Sequence, residues 1–311
     1  MNHQFITTIK NLQPNNVIIL RHCRTVHERE LLAQLTRGYS YVNLSLPPIS
    51  SQAAKDAPGF LKKLQLPVYL DNLQYAPQLL PLLAQGTLPY AGVLASCTQS
   101  FALENLAQNL SNVRLFPLPM AEEDLPPFNF ADSYFFSLNE RKRTDIKAQL
   151  WQGYRDPSDA NYSRYMQSVL EADIIYLTKV SNSDKFYLFM QAAAAQAGQV
   201  VNFARLAKEA KITAPTAKSW LRYLLGTGIV YLIWHVQNSS LKHLVSTPKL
   251  YFRDTGLACS LLNINSVKEL AQSEHLVQLE QNYALNKIYE SYLNECRLPS
   301  CAMQKVLPHL W

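Results

Sequence analysis

Glycine is scarce in this chain, with 9 residues among 311. A phosphate-binding loop of the form G-x-x-x-x-G-K-[ST] depends on glycine, because only glycine lets backbone N–H groups close tightly around phosphate. No two glycines stand five positions apart, and none precedes Lys-Ser or Lys-Thr. The sequence therefore excludes an intact loop of this kind anywhere in the chain.

Long apolar runs and paired cysteines are also lacking. No stretch approaches the roughly 18 apolar residues of a membrane-spanning helix, and the N-terminus lacks the charged-then-apolar pattern of a signal peptide. The five cysteines are odd in number and have no metal-type spacing, which indicates reduced thiols in a cytoplasmic protein. Hydrophobic residues at 48% and charged residues at 17% are typical of a globular protein with a sizeable core.

Short apolar runs alternate with helical patterns along the N-terminal third of the chain. The runs predict strands at 17–20, 41–44, 67–70, 93–95 and 113–116, and the patterns predict helices at 27–37, 78–85 and 101–110. Strands that alternate with helices predict a parallel sheet covered on both faces. Ligands of such sheets bind beyond the carboxyl ends of the strands, so we expect any site in the loops after Leu20, Leu70 and Ala95.

Residues 248–262 form the most distinctive segment and read PKLYFRDTGLACSLL. This segment resembles a signature of a large prokaryotic family of AAA-type ATPases, and the resemblance covers about residues 15–295. It implies an α/β protein with a P-loop NTPase-like parallel sheet domain at 1–120, a linker and helical region at 121–195, a winged helix-turn-helix at 196–253 and a helical segment at 254–311. Family members usually continue into a nuclease-like segment, so the end at Trp311 is interpreted as a truncation.

The residues after the first strand depart from the P-loop pattern of that family. Its glycines fall at His22 and His27, its lysine at Glu28 and its magnesium-binding hydroxyl at Arg29. Glu28 puts a negative charge where lysine would contact phosphate, and a unit pair at 4 Å is worth roughly 4 kcal/mol at an effective dielectric near 20. We therefore expect no cofactor beyond a vestigial Mg·ATP site. The hypothesis for the fold is that Glu28 and Glu30 replace the phosphate in the first helical turn.

The other two loops keep part of the polar residues that the resemblance implies. Asp71 matches the metal-orienting aspartate of the Walker B strand, whereas Asn72 stands where a catalytic glutamate would polarise the attacking water. A neutral amide is not a general base, so hydrolysis is not expected. Thr98 or Gln99 stands at the sensor position, where a polar side chain would contact the γ-phosphate. The candidate residues of a vestigial nucleotide site are Asp71, Gln99 and Arg29.

Residues 202–225 carry five basic side chains against one acid, Glu209. Apolar residues at helical spacing predict two helices joined by a turn at 211–213, and strands are predicted to follow at 229–234 and 249–252. This order predicts a winged helix-turn-helix, which is either a DNA-binding element or a structural, protein-contact module. The candidate DNA-contacting residues are Thr213, Thr216, Lys218 and Arg222.

Three functions follow as hypotheses from these patterns. The first is an ATPase homologue without ATP hydrolysis that acts as a scaffold or as a DNA- or partner-binding protein. The second is a divergent ATPase that still binds ATP through an unusual loop. The third is a winged-helix DNA-binding regulator whose N-terminal domain senses something other than ATP.

Overall fold

The computed structural model describes residues 3–22, 26–98, 103, 106–107, 110–118, 140–154, 162–168, 182–233 and 247–294. Contacts divide the chain into two compact units, the first consisting mainly of residues 1–124 and the second of residues 125–225 and 229–291. Within the described ranges, no helix has the length and apolar character needed to span a membrane.

The first unit is an α/β domain with a five-stranded parallel sheet, which confirms the predicted fold class at this level. Its strands are β1 (Val17–Arg21), β2 (Ser40–Asn43), β3 (Val68–Asp71), β4 (Val93–Cys97) and β5 (Val113–Pro117). Its helices are α1 (His3–Leu12), α2 (Val26–Leu35), α3 (Pro47–Lys55), α4 (Ala57–Lys62) and α5 (Leu79–Ala84). Short 3-10 turns lie at Gln13–Asn15, Leu73–Tyr75 and Tyr90–Gly92.

The strand order β2-β3-β4-β1-β5 creates a reversal in the middle of the sheet. The connection after β1 passes β4 and β3 to reach β2, whereas the connection after β4 crosses β1 in the opposite direction to reach β5. In open parallel sheets, ligands bind beyond the carboxyl ends of the strands at such a switch point. The topology therefore predicts that a ligand site, if present, lies at the ends of β1 and β4, close to His22 and Thr98.

Apolar side chains cover both faces of this sheet. On one face, Ile18 and Leu20 pack with residues of α1 and α2. On the other face, Val17 and Ile19 pack with residues of α3, α4 and α5. This alternation is the period of two expected for a strand, and it leaves all of β1 buried.

All five predicted strands are confirmed, with bounds that differ by one or two residues. The predicted helices at 27–37 and 78–85 correspond to α2 and α5. The predicted helix at 101–110 lies largely outside the described residues, although Leu103, Leu106 and Ala107 are helical. Helices α1, α3 and α4 were not predicted.

In its described residues, the second unit is mainly helical and contains one antiparallel strand pair. Its helices are α6 (Glu140–Gln152), α7 (Ser163–Ser168), α8 (Ser183–Ala194), α9 (Phe203–Glu209), α10 (Ala214–Gly226), α11 (Thr255–Leu261), α12 (Val267–Gln272) and α13 (Leu276–Asn294). Strands β6 (Val230–Ile233) and β7 (Lys249–Phe252) pair with each other. Trp220 of α10 packs on Phe186 and Phe189 of α8, with ring centroids 5.1 and 5.6 Å apart, and this contact fixes the buried face of α10.

Two helices of this unit begin at the side-chain caps that their sequences predict. Asn202 Oδ1 accepts from the backbone N–H of Arg205 at 3.0 Å and caps α9. Asp254 Oδ1 accepts from the N–H groups of Gly256 and Leu257 at 2.9 and 3.3 Å and caps α11. Each cap depends only on contacts within a few residues.

Candidate functional site

Asp71 lies at the carboxyl end of β3 and accepts hydrogen bonds from three hydroxyl groups. Its Oδ1 atom accepts from Ser96 Oγ at 2.6 Å and from Tyr69 Oη at 3.3 Å. Its Oδ2 atom accepts from Tyr41 Oη at 2.8 Å. Tyr69 Oη also lies 2.8 Å from Ser96 Oγ. We call these four residues the Asp71 cluster.

The register of the parallel sheet brings the cluster together. Tyr41 of β2 is paired with Tyr69 of β3, and their ring centroids are 5.7 Å apart. Tyr69 and Asp71 share a face because alternate residues of a strand point the same way. Tyr69 is paired with Leu94 of β4, so Ser96, two residues further on, reaches the same face near Asp71. Three neighbouring strands therefore each contribute to one carboxylate.

The surroundings of Asp71 keep its carboxyl group ionised. Burial by itself raises the pKa of Asp71, but His22, Ser96 and Tyr41 outweigh burial and lower this pKa from 3.8 to about 2. His22 Nε2 lies 3.8 Å from Asp71 Oδ1, beyond hydrogen-bonding distance, so His22 acts through its charge when it is protonated. Burial, followed by the charge of Asp71, raises the pKa of both tyrosines, which therefore remain hydrogen-bond donors.

Asp71 is expected to link the stability of the fold to acid pH. Because its pKa in the folded chain is lowered, its contribution is present above pH 3.8 and is lost as the pH falls towards about 2. The shift corresponds to about 2 kcal/mol in the free energy of unfolding. Asp71→Asn should therefore lose about that much stability near neutral pH and much less at the acid end. Urea unfolding followed by far-UV circular dichroism at a series of pH values measures the difference.

The matched control for this pH series is Asp56→Asn. Asp56 caps α4 by accepting from the N–H of Gly59 at 2.9 Å, and asparagine also caps helices well. The Asp56→Asn chain should keep the wild-type dependence of stability on pH. The assignment is contradicted if Asp71→Asn shows the wild-type pH dependence between pH 3.8 and the acid limit.

A second group of hydrogen bonds joins the polar residues beside the cluster. Asn72 has a φ of 62°, in the left-handed region that asparagine tolerates better than most residues. Its Nδ2 atom donates to Asn43 Oδ1 at 3.2 Å, and its Oδ1 atom accepts from Gln74 Nε2 at 3.3 Å. Gln74 Nε2 also donates to Thr98 Oγ1 at 2.7 Å. Side chains at the ends of β2, β3 and β4 are thus connected within the protein.

The start of α2 carries a buried carboxylate. Glu28 is fully buried in the first turn of α2, whereas Arg29 and Glu30 are exposed. A negative charge in this position interacts favourably with the helix dipole. Glu28 lies in the first turn of α2 and Glu30 lies just beyond that turn, so the hypothesis that a carboxylate replaces the phosphate now rests on Glu28. Residues 23–25 of the preceding loop lie outside the described residues.

The structure brings only some of the predicted nucleotide-site residues close together. Asp71 and Thr98 both lie at the carboxyl edge of the sheet, within the two hydrogen-bonded groups described above. Arg29 is exposed on α2, and Gln99 lies outside the described residues. The sequence interpretation missed the roles of Tyr41, Tyr69 and Ser96. The available signal was the spacing of two between Tyr69 and Asp71, which puts both on one face of a strand.

The predicted DNA-contacting residues lie on or beside α10. Thr213, Lys218 and Arg222 are exposed, and Thr216 is half-buried. Thr213 Oγ1 lies 2.8 Å from Thr216 Oγ1 and accepts from the backbone N–H of Thr216 at 3.3 Å, so Thr213 caps the helix. These residues share one unit but are separate in sequence and chemistry from the Asp71 cluster.

Metal-binding groups are not prominent in the parts of the chain that the structure describes. Across those ranges, no set of three or more His, Cys, Asp or Glu side chains is arranged to hold a metal ion. Cys97 and Cys259 are buried and form no disulfide.

One region of the chain matches the model of a protein family. Residues 148–268 match the model of a domain of unknown function, DUF8612. The match begins in α6, ends in α12 and includes α9, α10 and the strand pair of β6 and β7. The parallel sheet lies outside the matched region. No curated protein and no solved structure matches the chain.

Proposed function

We propose that the protein is a homologue of the AAA-type ATPases that does not hydrolyse ATP and acts as a scaffold. The observation that carries this proposal is the engagement of the Asp71 carboxylate by Tyr41, Tyr69 and Ser96. Asp71 matches the metal-orienting aspartate of that family. Mg²⁺ demands oxygen ligands in a near-octahedral arrangement, and here it would compete with three hydroxyl donors for one carboxylate.

Two further residues argue against nucleotide chemistry at this edge of the sheet. Glu28 is buried at the start of α2, where a triphosphate would add negative charges beside a carboxylate in a region of low dielectric. Asn72 matches the position of a catalytic glutamate, but its amide cannot act as a general base. Its left-handed backbone and its hydrogen bonds to Asn43 and Gln74 support a structural role instead. The residues present do not fit Mg·ATP, so we assign no catalytic step.

The architecture of both units supports the wider family assignment in this proposal. A parallel five-stranded sheet with a central switch point is compatible with a P-loop-like core. In the second unit, α9 and α10 are followed by an antiparallel ribbon of β6 and β7, the order of a winged helix-turn-helix. In this proposal, the first unit has a structural role, and the second unit supplies the surface that contacts a partner.

Titration calorimetry with Mg·ATP tests the proposal. The wild-type chain is expected to give no binding heat in the micromolar range, because the Asp71 carboxylate is already engaged and Glu28 stands where the lysine of that family would contact phosphate. Tyr41→Phe removes the donor to Asp71 Oδ2 without disturbing the core, since Tyr41 is 61% exposed. This variant should also not bind Mg·ATP, because Ser96 and Tyr69 still donate to Asp71 Oδ1. Micromolar binding that Asp71→Ala abolishes and Asp56→Ala retains would replace this proposal with a divergent, ATP-binding ATPase.

A further inference from the structure

Five exposed basic side chains lie on α9, on α10 and in the turn between them, and we call them the basic surface. These exposed basic residues are Arg205, Lys208, Lys211, Lys218 and Arg222. The single acidic residue of 202–225 is Glu209, and its Oε1 atom forms an ion pair with Arg205 Nε at 2.7 Å. Within residues 202–225, the basic residues therefore outnumber the acidic ones by four.

The basic side chains of α10 lie opposite its buried face. Ala217, Trp220, Leu221 and Leu224 are buried, and Trp220 packs on α8. Lys218 and Arg222 are exposed and stand four residues apart, so they are neighbours along one side of the helix, separated by about 6 Å of rise. Packing against α8 thus holds two cations in a fixed direction away from the core.

The surface has the character of a nucleic-acid interface and lacks the apolar centre of a protein interface. No large apolar side chain of residues 202–225 is among those that are exposed. Protein interfaces are built around an apolar core from which charged residues are depleted. Proteins instead contact duplex DNA with basic side chains at its phosphates and with hydroxyl and amide groups in its grooves. Thr213 adds an exposed hydroxyl at the start of α10.

We infer that this surface binds duplex DNA, with α10 in the major groove and Lys218 and Arg222 on the flanking phosphates. The major groove is about 12 Å wide and admits a single α-helix. Thr213 and Thr216 lie at the N-terminal end of α10, the end that commonly approaches base edges when a helix of this type enters the groove. The inference deepens the proposed scaffold function, on which it rests, by naming the class of partner.

Fluorescence anisotropy with a labelled duplex of arbitrary sequence tests the inference, measured on the full chain without nucleotide over about 50 to 200 mM salt. Wild-type chain should bind at the lowest salt and weaken as salt rises. The double variant Lys218→Ala with Arg222→Ala should bind at least about tenfold more weakly. Its slope of log affinity against log salt should be smaller by about 2, because two phosphate contacts are lost.

The matched control is the double variant Lys62→Ala with Lys63→Ala, which removes two exposed lysines of the first unit. It lowers the net charge of the chain by the same amount and should keep the wild-type affinity and slope. Absence of binding at about 50 mM salt, or equal losses in both double variants, overturns the inference. Tighter binding to poly-glutamate than to the duplex also overturns it, in favour of an acidic protein partner. None of these outcomes alters the Mg·ATP calorimetry, so the two proposals fail independently.

Discussion

Replacing Asp254 with alanine is expected to destabilise the second unit by roughly 3–5 kcal/mol. Asp254 is buried, and its Oδ1 atom accepts from the backbone N–H groups of Tyr154, Gly256 and Leu257 at 3.2, 2.9 and 3.3 Å. Alanine removes the acceptor from all three donors at once, and each buried donor left without a partner costs about 1–3 kcal/mol. The carboxylate therefore joins the end of α6 to the start of α11.

Two glycines allow the close packing around Asp254. A Cβ atom on Gly153 would lie 2.0 Å from Asp254 Oδ1, and Gly153 has a φ of 55° that favours glycine. A Cβ atom on Gly256 would lie 2.5 Å from Tyr162 Oη and 2.6 Å from the carbonyl oxygen of Gln152. Both glycines are required by the approach of α6 to α11.

Asparagine at position 254 separates the role of the acceptor from the role of the charge. Burial raises the pKa of Asp254 above 3.8, so its contribution to stability is greatest below pH 3.8 and falls as the pH rises through the higher folded value. Asp254→Asn keeps an oxygen acceptor and has no charge to bury. It should remain far closer to the wild type than Asp254→Ala and should lose this pH dependence.

Urea unfolding followed by tryptophan emission measures these variants, because Trp151 and Trp220 both lie in the second unit. Asp184→Ala is the matched control, since Asp184 is an exposed carboxylate in the first turn of α8 and is worth less than about 1 kcal/mol there. A loss below about 1 kcal/mol in Asp254→Ala would refute the role of the cap.

Local signals explain which parts of the fold the sequence predicts. The strands are predicted because apolar runs bounded by turn residues need no tertiary information. Helices α3 and α4 are missed because they are short and begin with proline-containing turns. In α3 only Ala53 is buried, so its sequence shows no apolar face. Its helical form depends on packing within the folded unit.

The candidate site is predictable only at single positions. Asp71 is identified by the resemblance of its segment to a Walker B strand, and this requires no knowledge of its neighbours in the sheet. The hydrogen bonds from Tyr41 and Ser96 join residues 30 and 25 positions away, so they depend on strand order and register. A shift of one residue in the register of β2 would turn Tyr41 to the opposite face. The pattern of hydrophobic residues does not specify which strands are neighbours, so the cluster is visible only in the folded sheet.

Replacing Asn282 with alanine is the other change with a large expected effect, roughly 2–3 kcal/mol of stability. Asn282 of α13 is fully buried, and its Oδ1 atom accepts from the N–H of Phe252 at 2.8 Å. Its Nδ2 atom donates to the carbonyl oxygen of Phe252 at 2.7 Å. The side-chain amide thus takes the place of a neighbouring strand along β7. Alanine would leave the N–H of Phe252 buried without its acceptor.

The neighbouring Asn286 limits this loss to one of the two backbone groups. Asn286 Nδ2 donates to the carbonyl oxygens of Phe252 and Arg253 at 3.0 and 2.9 Å, so the Phe252 carbonyl keeps a partner in Asn282→Ala. The N–H of Phe252 should consequently show the largest fall in protection when hydrogen exchange is measured by NMR. Gln281→Ala, at an exposed position of the same helix, should leave that protection unchanged. Unchanged protection in Asn282→Ala would mean that the β6–β7 ribbon holds itself together without α13, and the amide would then have no role in anchoring it.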